Sequence, residues 1–446
     1  MNGLLRESRD TIFAQASARG RAGVAVIRVS GPLAIRAADV LTGRAIPPRR
    51  ATFCRLKAAD GSVIDHAIVV AFAAPASFSG ENMVEFQLHG SLAVVAAVTR
   101  ELERLAGFRP AEPGEFTRRA LENGRLDLSQ VEGLADLIAA ETECQRVQAL
   151  HVMEGGLSGL VAEWRQGLIR ARALLDASMD FPDEEDAPLD PAGEILGILG
   201  ALGDGFRREI DGSFAAERLR EGFEVAIVGP PNVGKSTFLN ALAGRDAAIT
   251  SSTAGTTRDV IEVRMDVGGI PVTVLDTAGL RVLGASGAAT DAVERLGIDR
   301  ARKRAEAADL RIFLSLDGRI GDLGVAFRPG DIACCGKCDI VDPGAELAIS
   351  GKTGEGIETV MRQVEAELAP RIRGSRSAIR ERHRSALRRA LGPLETATAM
   401  LRGPSPEPEL VYEQLRRCTE ALNSLLGTVD VEDVLDEIFS SFCMGK

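Results

Sequence analysis

The sequence predicts a multidomain protein that combines α/β segments with all-α ones. Three observations predict it. Short apolar runs of strand character crowd the first 125 residues, helical apolar spacing fills two blocks at about 126–220 and 371–446, and strands return between those blocks beside a glycine-rich turn. With 446 residues, 45% of them hydrophobic and 26% charged, the chain can bury several cores and is too long for one compact domain.

Residues 1–125 carry the runs VAVIRVSG, AIVVAFAA and MVEFQLHG together with the helically spaced SLAVVAAVTRELERLAG, punctuated by Gly and Pro, and predict an N-terminal α+β domain. From 126 to 220 the pattern is helical almost throughout, with spacings of three and four in LSQVEGLADLIAAETECQRVQAL and LSGLVAEWRQGLIRARALLDASM, until the acidic DFPDEED ends a helix. Residues 221–370 predict a second α/β domain, and 371–446 are helical again. The simplest arrangement makes 126–220 and 371–446 the two halves of one helical domain with the α/β segment inserted between them. Between Arg371 and Arg389 there are eight arginines and one acid, Glu381, which reads either as a solvated helix face or as an RNA or partner contact.

The net charge of −11 argues against a chain that holds nucleic acid by itself, because phosphate binding depends on Lys and Arg neutralising the backbone. Seven cysteines scattered at 54, 144, 334, 335, 338, 418 and 443 do not form a disulfide framework and are expected to be reduced thiols. The start, MNGLLRESRDTIFAQ, lacks a signal-peptide core, and no run approaches the roughly 20 apolar residues that span a bilayer. These features predict a soluble, cytoplasmic protein with no membrane association.

The segment EVAIVGPPNVGKSTFLNALAG is a strand, a loop and a helix start with the spacing G-x-x-x-x-G-K-[ST] at Gly229, Gly234, Lys235 and Ser236. Successive N–H groups at such a helix N-terminus point at phosphates, and glycines remove the Cβ atoms that would block them. Asn232, Val233, Gly234, Lys235, Ser236 and Thr237 are the expected phosphate-loop contacts, with Lys235 reaching the β and γ phosphates and Ser236 binding Mg²⁺. Forty residues after Ser236, VTVLDTAGL ends a strand at Asp276 and continues to Gly279, where such folds place a metal-associated acid and a γ-phosphate sensor. Between them AGTTRD offers Thr256 and Thr257 at the position of a first switch.

Guanine specificity comes from an N-K-x-D loop and an S-A-K loop. The corresponding residues are Gly336, Lys337, Cys338 and Asp339, then Ser350, Gly351 and Lys352. Asp339 can accept from the two guanine N–H donors, so GTP is expected over ATP, while Gly336 removes the asparagine that braces the loop and predicts weaker nucleotide affinity. Cys335 and Cys338 also satisfy C-x-x-C, but they sit where a base-recognition loop belongs, not at the opening of a helix. Leu280 follows Gly279 where Ras-type proteins carry a water-orienting Gln, so hydrolysis must use another polar group, and Glu294 in TDAVERLGIDRA is the candidate.

The combination GPPNVGKSTFLN, AGTTRD, DTAGL and VERLGIDRA, with DTIFAQASARGRAGVAVIRVSG, PGEFTRRALENGRLDLSQVEGLADLI and the ending Phe442-Cys443-Met444-Gly445-Lys446, resembles the MnmE/TrmE family of tRNA-modification GTPases across essentially the whole chain. The resemblance implies a folate-binding, dimerising N-terminal domain, a split helical domain and an inserted P-loop G domain with a Ras-like doubly wound sheet. It implies a homodimer that works with an FAD-dependent MnmG-type partner in a heterotetramer, forming a carboxymethylaminomethyl group on carbon 5 of the wobble uridine of certain tRNAs. The one-carbon unit would come from a 5-formyl or 5,10-methylene tetrahydrofolate derivative, glycine would supply the amine, and GTP hydrolysis would be required.

By matching position, the resemblance assigns folate contacts to Arg28, Glu85, Arg125 and Lys446, and K⁺ ligands to Asn232, Ser251, Thr253 and Thr256. It assigns Mg²⁺ to Ser236 and Thr257, water positioning to Glu294, and to Cys443 a place near the folate with a catalytic role. On the residues alone, Arg28 and Glu85 could equally pair with each other, and Cys443 could be a surface thiol. The competing reading is a ribosome-assembly or translation-associated GTPase switch, and folate binding separates the two.

Overall fold

Strand-like alternation in residues 22–30 sends Ala25, Ile27 and Val29 to one face, where all three are buried, and Val24, Val26 and Arg28 to the other. The computed structural model that shows this describes residues 10–180, 191–245, 247–249, 262–276, 292–317, 319–321, 323–341, 347–372, 374, 377–404 and 407–427, with the side chains of 179, 180, 191 and 292–299 left aside. They divide into two compact units, one made of Met1–Ala135, Ser158–Ala162 and Thr419–Lys446, the other of Asp136–Leu157 and Glu163–Cys418.

The first unit is built on β1 (Thr11–Gln15), β2 (Ala22–Ser30), α1 (Ala34–Thr42), β3 (Thr52–Lys57), β4 (Val63–Phe72), β5 (Met83–Gly90), α2 (Leu92–Glu103), β6 (Phe108–Pro110), α3 (Glu115–Glu122) and the start of α4 (Leu128–Ala139). Its sheet runs β3-β4-β5-β2-β1-β6, antiparallel except for the parallel β1/β6 pair. Helices α1 and α2 pack on one face through Ala34, Ala38, Leu41, Val98 and Leu102 against Ile27, Val29, Val69, Phe86 and Leu88. Ile27 and Val29 lie two apart on β2, as do Phe86 and Leu88 on β5, so the alternation itself selects the buried face.

The second unit contains the helices α5 (Glu143–Met153), most of α6 (Gly156–Asp180) and α7 (Pro191–Glu221), followed by β7 (Phe223–Val228), α8 (Lys235–Ala243), β8 (Glu262–Val267), β9 (Ile270–Asp276), α9 (Ala292–Ala307), β10 (Leu310–Ser315), β11 (Ile332–Gly336), β12 (Ala348–Ile349) and α10 (Ile357–Ile372). Helix α11 (Glu381–Leu401) and α12 (Pro408–Asn423) as far as Cys418 complete it. Its sheet runs β12-β11-β10-β7-β9-β8, parallel apart from the β8/β9 hairpin, with phenylalanine, valine and isoleucine in continuous buried runs because both faces are covered. The hairpin turns through Gly268 and Gly269 at φ 62° and 85°, values that only a residue without Cβ adopts freely.

The helices that precede and follow this sheet in the chain pack together. Arg207 of α7 meets Glu395 of α11 at 2.7 Å, Arg384 of α11 meets Glu217 of α7 at 3.1 Å, and buried Glu209 of α7 accepts from the N–H groups of Ser377 and Ala378 at 3.1 and 3.2 Å. These contacts join the helical segments that precede and follow the α/β segment within the second unit. Helix α10 continues through Pro370 to Ile372, because a proline in the last turn forfeits only one intrahelical bond.

Candidate nucleotide-binding site

Strand β7 is buried at every residue but Glu224 and delivers the chain to the loop 229–234 at the carboxyl end of the parallel sheet, where open α/β sheets bind ligands. The loop backbone takes shapes that its residues explain. Asn232 has φ 60° and Gly234, which caps α8, has φ 110°. A Cβ on Gly229 would lie 2.4 Å from the Leu314 carbonyl oxygen of β10, so only glycine lets the loop leave the sheet this closely.

Lys235 is 7% exposed, and its Nζ donates to the carbonyls of Gly229 at 2.8 Å and Pro230 at 2.9 Å, folded back across its own loop. Burial holds its ammonium below the usual lysine range, opposed by the charge of Asp276. The Ser236 hydroxyl donates to Asp276 Oδ2 at 2.7 Å, while Oδ1 of the same carboxylate, 1% exposed as a residue, has no hydrogen-bond partner among the described residues. A buried carboxylate oxygen without a donor beside a serine hydroxyl is a set of hard oxygen ligands, and it fits Mg²⁺.

Two further loops close on this one. Val233, Gly234 and Thr237 line a cavity of about 150 Å³ with Leu314, Gly336, Lys337, Asp339, Ile340, Ser350, Gly351 and Lys352. The Cys338 N–H donates to the Ile349 carbonyl at 3.1 Å, which ties the Lys337–Asp339 loop to the serine loop, and Ser350 Oγ accepts from the N–H groups of Lys352 and Thr353 at 3.2 Å each. A Cβ on Gly351 would lie 2.6 Å from the Thr237 carbonyl carbon, so the serine loop rests directly on the first turn of α8. Asp339 is exposed at the rim with its acceptor oxygens available to a base. Cys335 is fully buried, and its thiol donates to the Leu316 carbonyl at 3.0 Å, a packing role within β11.

Val233, Gly234, Thr237, Lys337, Asp339 and Ser350 thus meet at one cavity, with Lys235, Ser236 and Asp276 beside them on the same loop and the next strand. Ser251, Thr253, Thr256, Thr257, Gly279, Cys443 and Lys446 lie outside the described residues, as does the side chain of Glu294, whose backbone belongs to α9. The close approaches of Gly336 and Gly351 were not expected from sequence; the only sequence signal was two glycines standing where the common motifs have Asn and Ala.

In the first unit Arg28 of β2 and Glu85 of β5 are direct cross-strand partners, and they form an ion pair at 2.9 Å. The Arg28 guanidinium also lies 5.4 Å from the Phe78 ring centre and 5.8 Å from that of Phe116. Two residues beyond Phe78, a Cβ on Gly80 would lie 3.1 Å from Cγ of Arg125, whose residue is exposed. The 78–80 loop is therefore the shared neighbour of Arg28 and Arg125. Phe78 and Phe116 were not singled out from sequence, because an isolated phenylalanine reads as core. Of the basic segment after 370, Arg371 donates to the Asp309 carbonyl, Arg380 pairs with Asp136 at 2.7 Å, and Arg384 pairs with Glu217 over the Phe214 ring, so these three are used within the unit.

The family model described as "MnmE helical domain" matches residues 128–443, and that described as "GTP-binding protein TrmE N-terminus" matches residues 11–125. The chain belongs to the MnmE/TrmE family of tRNA modification GTPases. Two proteins named "tRNA modification GTPase MnmE" are similar to it over 438 residues, 98% of this chain and the whole of each relative: one from Roseobacter denitrificans is 53% identical and one from Cereibacter sphaeroides 54%. Among solved structures, the G domain of the T. maritima FeoB iron transporter matches 33% of this chain and 98% of its own at 21% identity with a TM-score of 0.24, a likeness too small to carry weight. As a MnmE/TrmE member the chain is a GTPase, and among its described residues no helix is long and apolar enough to cross a membrane.

Proposed function

We propose that this chain hydrolyses GTP to drive formation of a carboxymethylaminomethyl group on carbon 5 of the wobble uridine of certain tRNAs. The observation that carries the GTP part is the convergence of the 229–237, 336–340 and 349–352 loops on one cavity beside the Ser236–Asp276 pair. Lys235 would swing from its own loop carbonyls to the β and γ phosphates, exchanging two neutral acceptors for charged ones. Asp339 would accept from the guanine N1–H and N2–H donors, and Ser350 would hold its loop against the base. Mg²⁺, held by Ser236 and Thr257 with Asp276 behind them, would neutralise charge on the phosphate oxygens. Glu294 would position the attacking water, and Asn232, Ser251, Thr253 and Thr256 would hold K⁺ where charge develops on the leaving phosphate.

In the N-terminal unit, Arg28, Glu85 and Arg125, with Lys446, would bind the tetrahydrofolate derivative. The aromatic rings beside Arg28 suit a flat heterocycle, and Arg125 suits a carboxylate. Cys443 would stand near that site. The chain would act as a homodimer with an FAD-dependent MnmG-type partner in a heterotetramer, on tRNA in the cytoplasm. Family membership over the whole chain supports this reading.

The test is GTP turnover by the purified chain in matched KCl and NaCl buffers with ATP as control. Strong acceleration by K⁺ with GTP alone is expected; equal, negligible turnover in both salts would sink the cation-assisted mechanism.

A further inference from the structure

Gly336 ends β11 where an N-K-x-D loop would begin with asparagine. A Cβ at this position would lie 2.5 Å from the carbonyl oxygen of Val233, well inside the van der Waals contact distance of a carbon and an oxygen, and 3.5 Å from Leu314 Cδ2. The glycine hydrogen therefore faces the phosphate loop directly, backbone against backbone. Retreat is restricted on both sides. The Cys335 N–H donates to the Leu347 carbonyl at 2.9 Å and its thiol to Leu316 at 3.0 Å, and the Cys338 N–H donates to Ile349 at 3.1 Å. The next residue, Lys337, takes φ 60°, and its Cγ would lie 3.7 Å from a Cβ on Gly234. The base loop and the phosphate loop thus touch at two successive residues, and Gly351 adds a third backbone contact on Thr237.

We propose that Gly336 is a positioning residue for guanine-nucleotide binding: its close approach to Val233 replaces the brace that an asparagine side chain supplies elsewhere, and the position no longer accepts asparagine. The inference rests on the reading of this cavity as a GTP site. The missing side chain reads in the sequence as a weakened site, whereas the geometry gives its restoration the opposite sign. Any Cβ at 336 must push the Val233 carbonyl and the Lys337–Asp339 loop apart, and both line the cavity.

The experiment is titration of the full-length chain with a fluorescent GDP analogue, comparing the natural protein with Gly336→Ala and Gly336→Asn at a temperature below their unfolding transitions, with ADP as competitor. Both variants are expected to raise the Kd for GDP by about tenfold or more and to narrow the preference of GDP over ADP, asparagine at least as much as alanine. A loss of global stability alone would leave the Kd and the base preference of the folded protein where they were, and that result overturns the inference. Tighter GDP binding by Gly336→Asn than by the natural chain overturns it too. Should the asparagine variant not fold, the alanine variant decides by the same criterion. Failure of the natural chain itself to bind GDP would instead overturn the reading of the cavity.

Discussion

At the scale of single residues, environment separates side chains of the same type. Burial pushes the thiols of Cys334 and Cys418 up to about 12, whereas Cys144 and Cys338 are half-exposed, with smaller upward shifts from burial and nearby carboxylates. A thiol reacts as its thiolate, so at about pH 8 iodoacetamide should modify Cys144 and Cys338 well before Cys334 and Cys418. GDP should slow Cys338, whose neighbours Lys337 and Asp339 line the cavity. Peptide mapping of briefly labelled protein checks the order, and early labelling of Cys418 would contradict the packing around it. Arg28 and Glu85 teach the same lesson by register: both were legible as candidates, but only the pairing of β2 with β5 sets them opposite one another.

At the scale of elements, α3 shows how a charged helix is buried. Its sequence, EFTRRALE, reads as a surface helix, yet Glu115, Phe116, Thr117, Arg119 and Ala120 are all buried. The charges are tolerated because they satisfy one another: Glu115 accepts from Arg109 at 2.6 Å and from Arg119 at 2.9 Å, and Arg119 also meets Glu81 at 3.1 Å. Burial would raise the Glu115 carboxyl, but bonds from Arg109, the Glu112 N–H and Arg119 carry it below its ordinary 4.5. A depressed folded-state value means that this group stabilises the unit fully above 4.5 and ceases to do so as pH falls through the folded value. Glu115→Gln should therefore lower the unfolding midpoint at neutral pH, and its deficit against the natural chain should shrink below about pH 4. Thermal scans across that range test it, and a deficit constant with pH would rule out the charge as the cause.

At the scale of the whole molecule, the second unit has to hold an α/β sheet between two helical crossings. Asp309, at the head of β10, serves both. Its carboxylate accepts from the Glu224 N–H at 2.9 Å and meets Arg218 of α7 at 3.4 Å, while its carbonyl accepts from Arg371 of α10 at 2.6 Å. Asp309→Ala would strand the Glu224 N–H and release Arg218, and should cost about 1–3 kcal/mol in urea unfolding; a change within error would mean that the crossings are held by apolar packing alone. Helix α5 fastens the same region, with the Cys144 N–H on the Gly269 carbonyl at 3.2 Å and Gln145 on the Arg220 carbonyl at 3.0 Å. None of these ties is readable from local pattern, since their partners lie far apart in the chain. What the sequence by itself determined was whatever depends on neighbours along the chain: the strand and helix periods, the phosphate-loop spacing, the order of the nucleotide motifs and the family they belong to. Only the tertiary structure decided the pairing of Arg28 with Glu85, the carboxylate oxygen of Asp276 left open beside Ser236, and the contact of Gly336 with Val233. Those depend on strand register and on separations between remote backbones set to within tenths of an ångström, which close packing fixes and one-dimensional pattern does not encode.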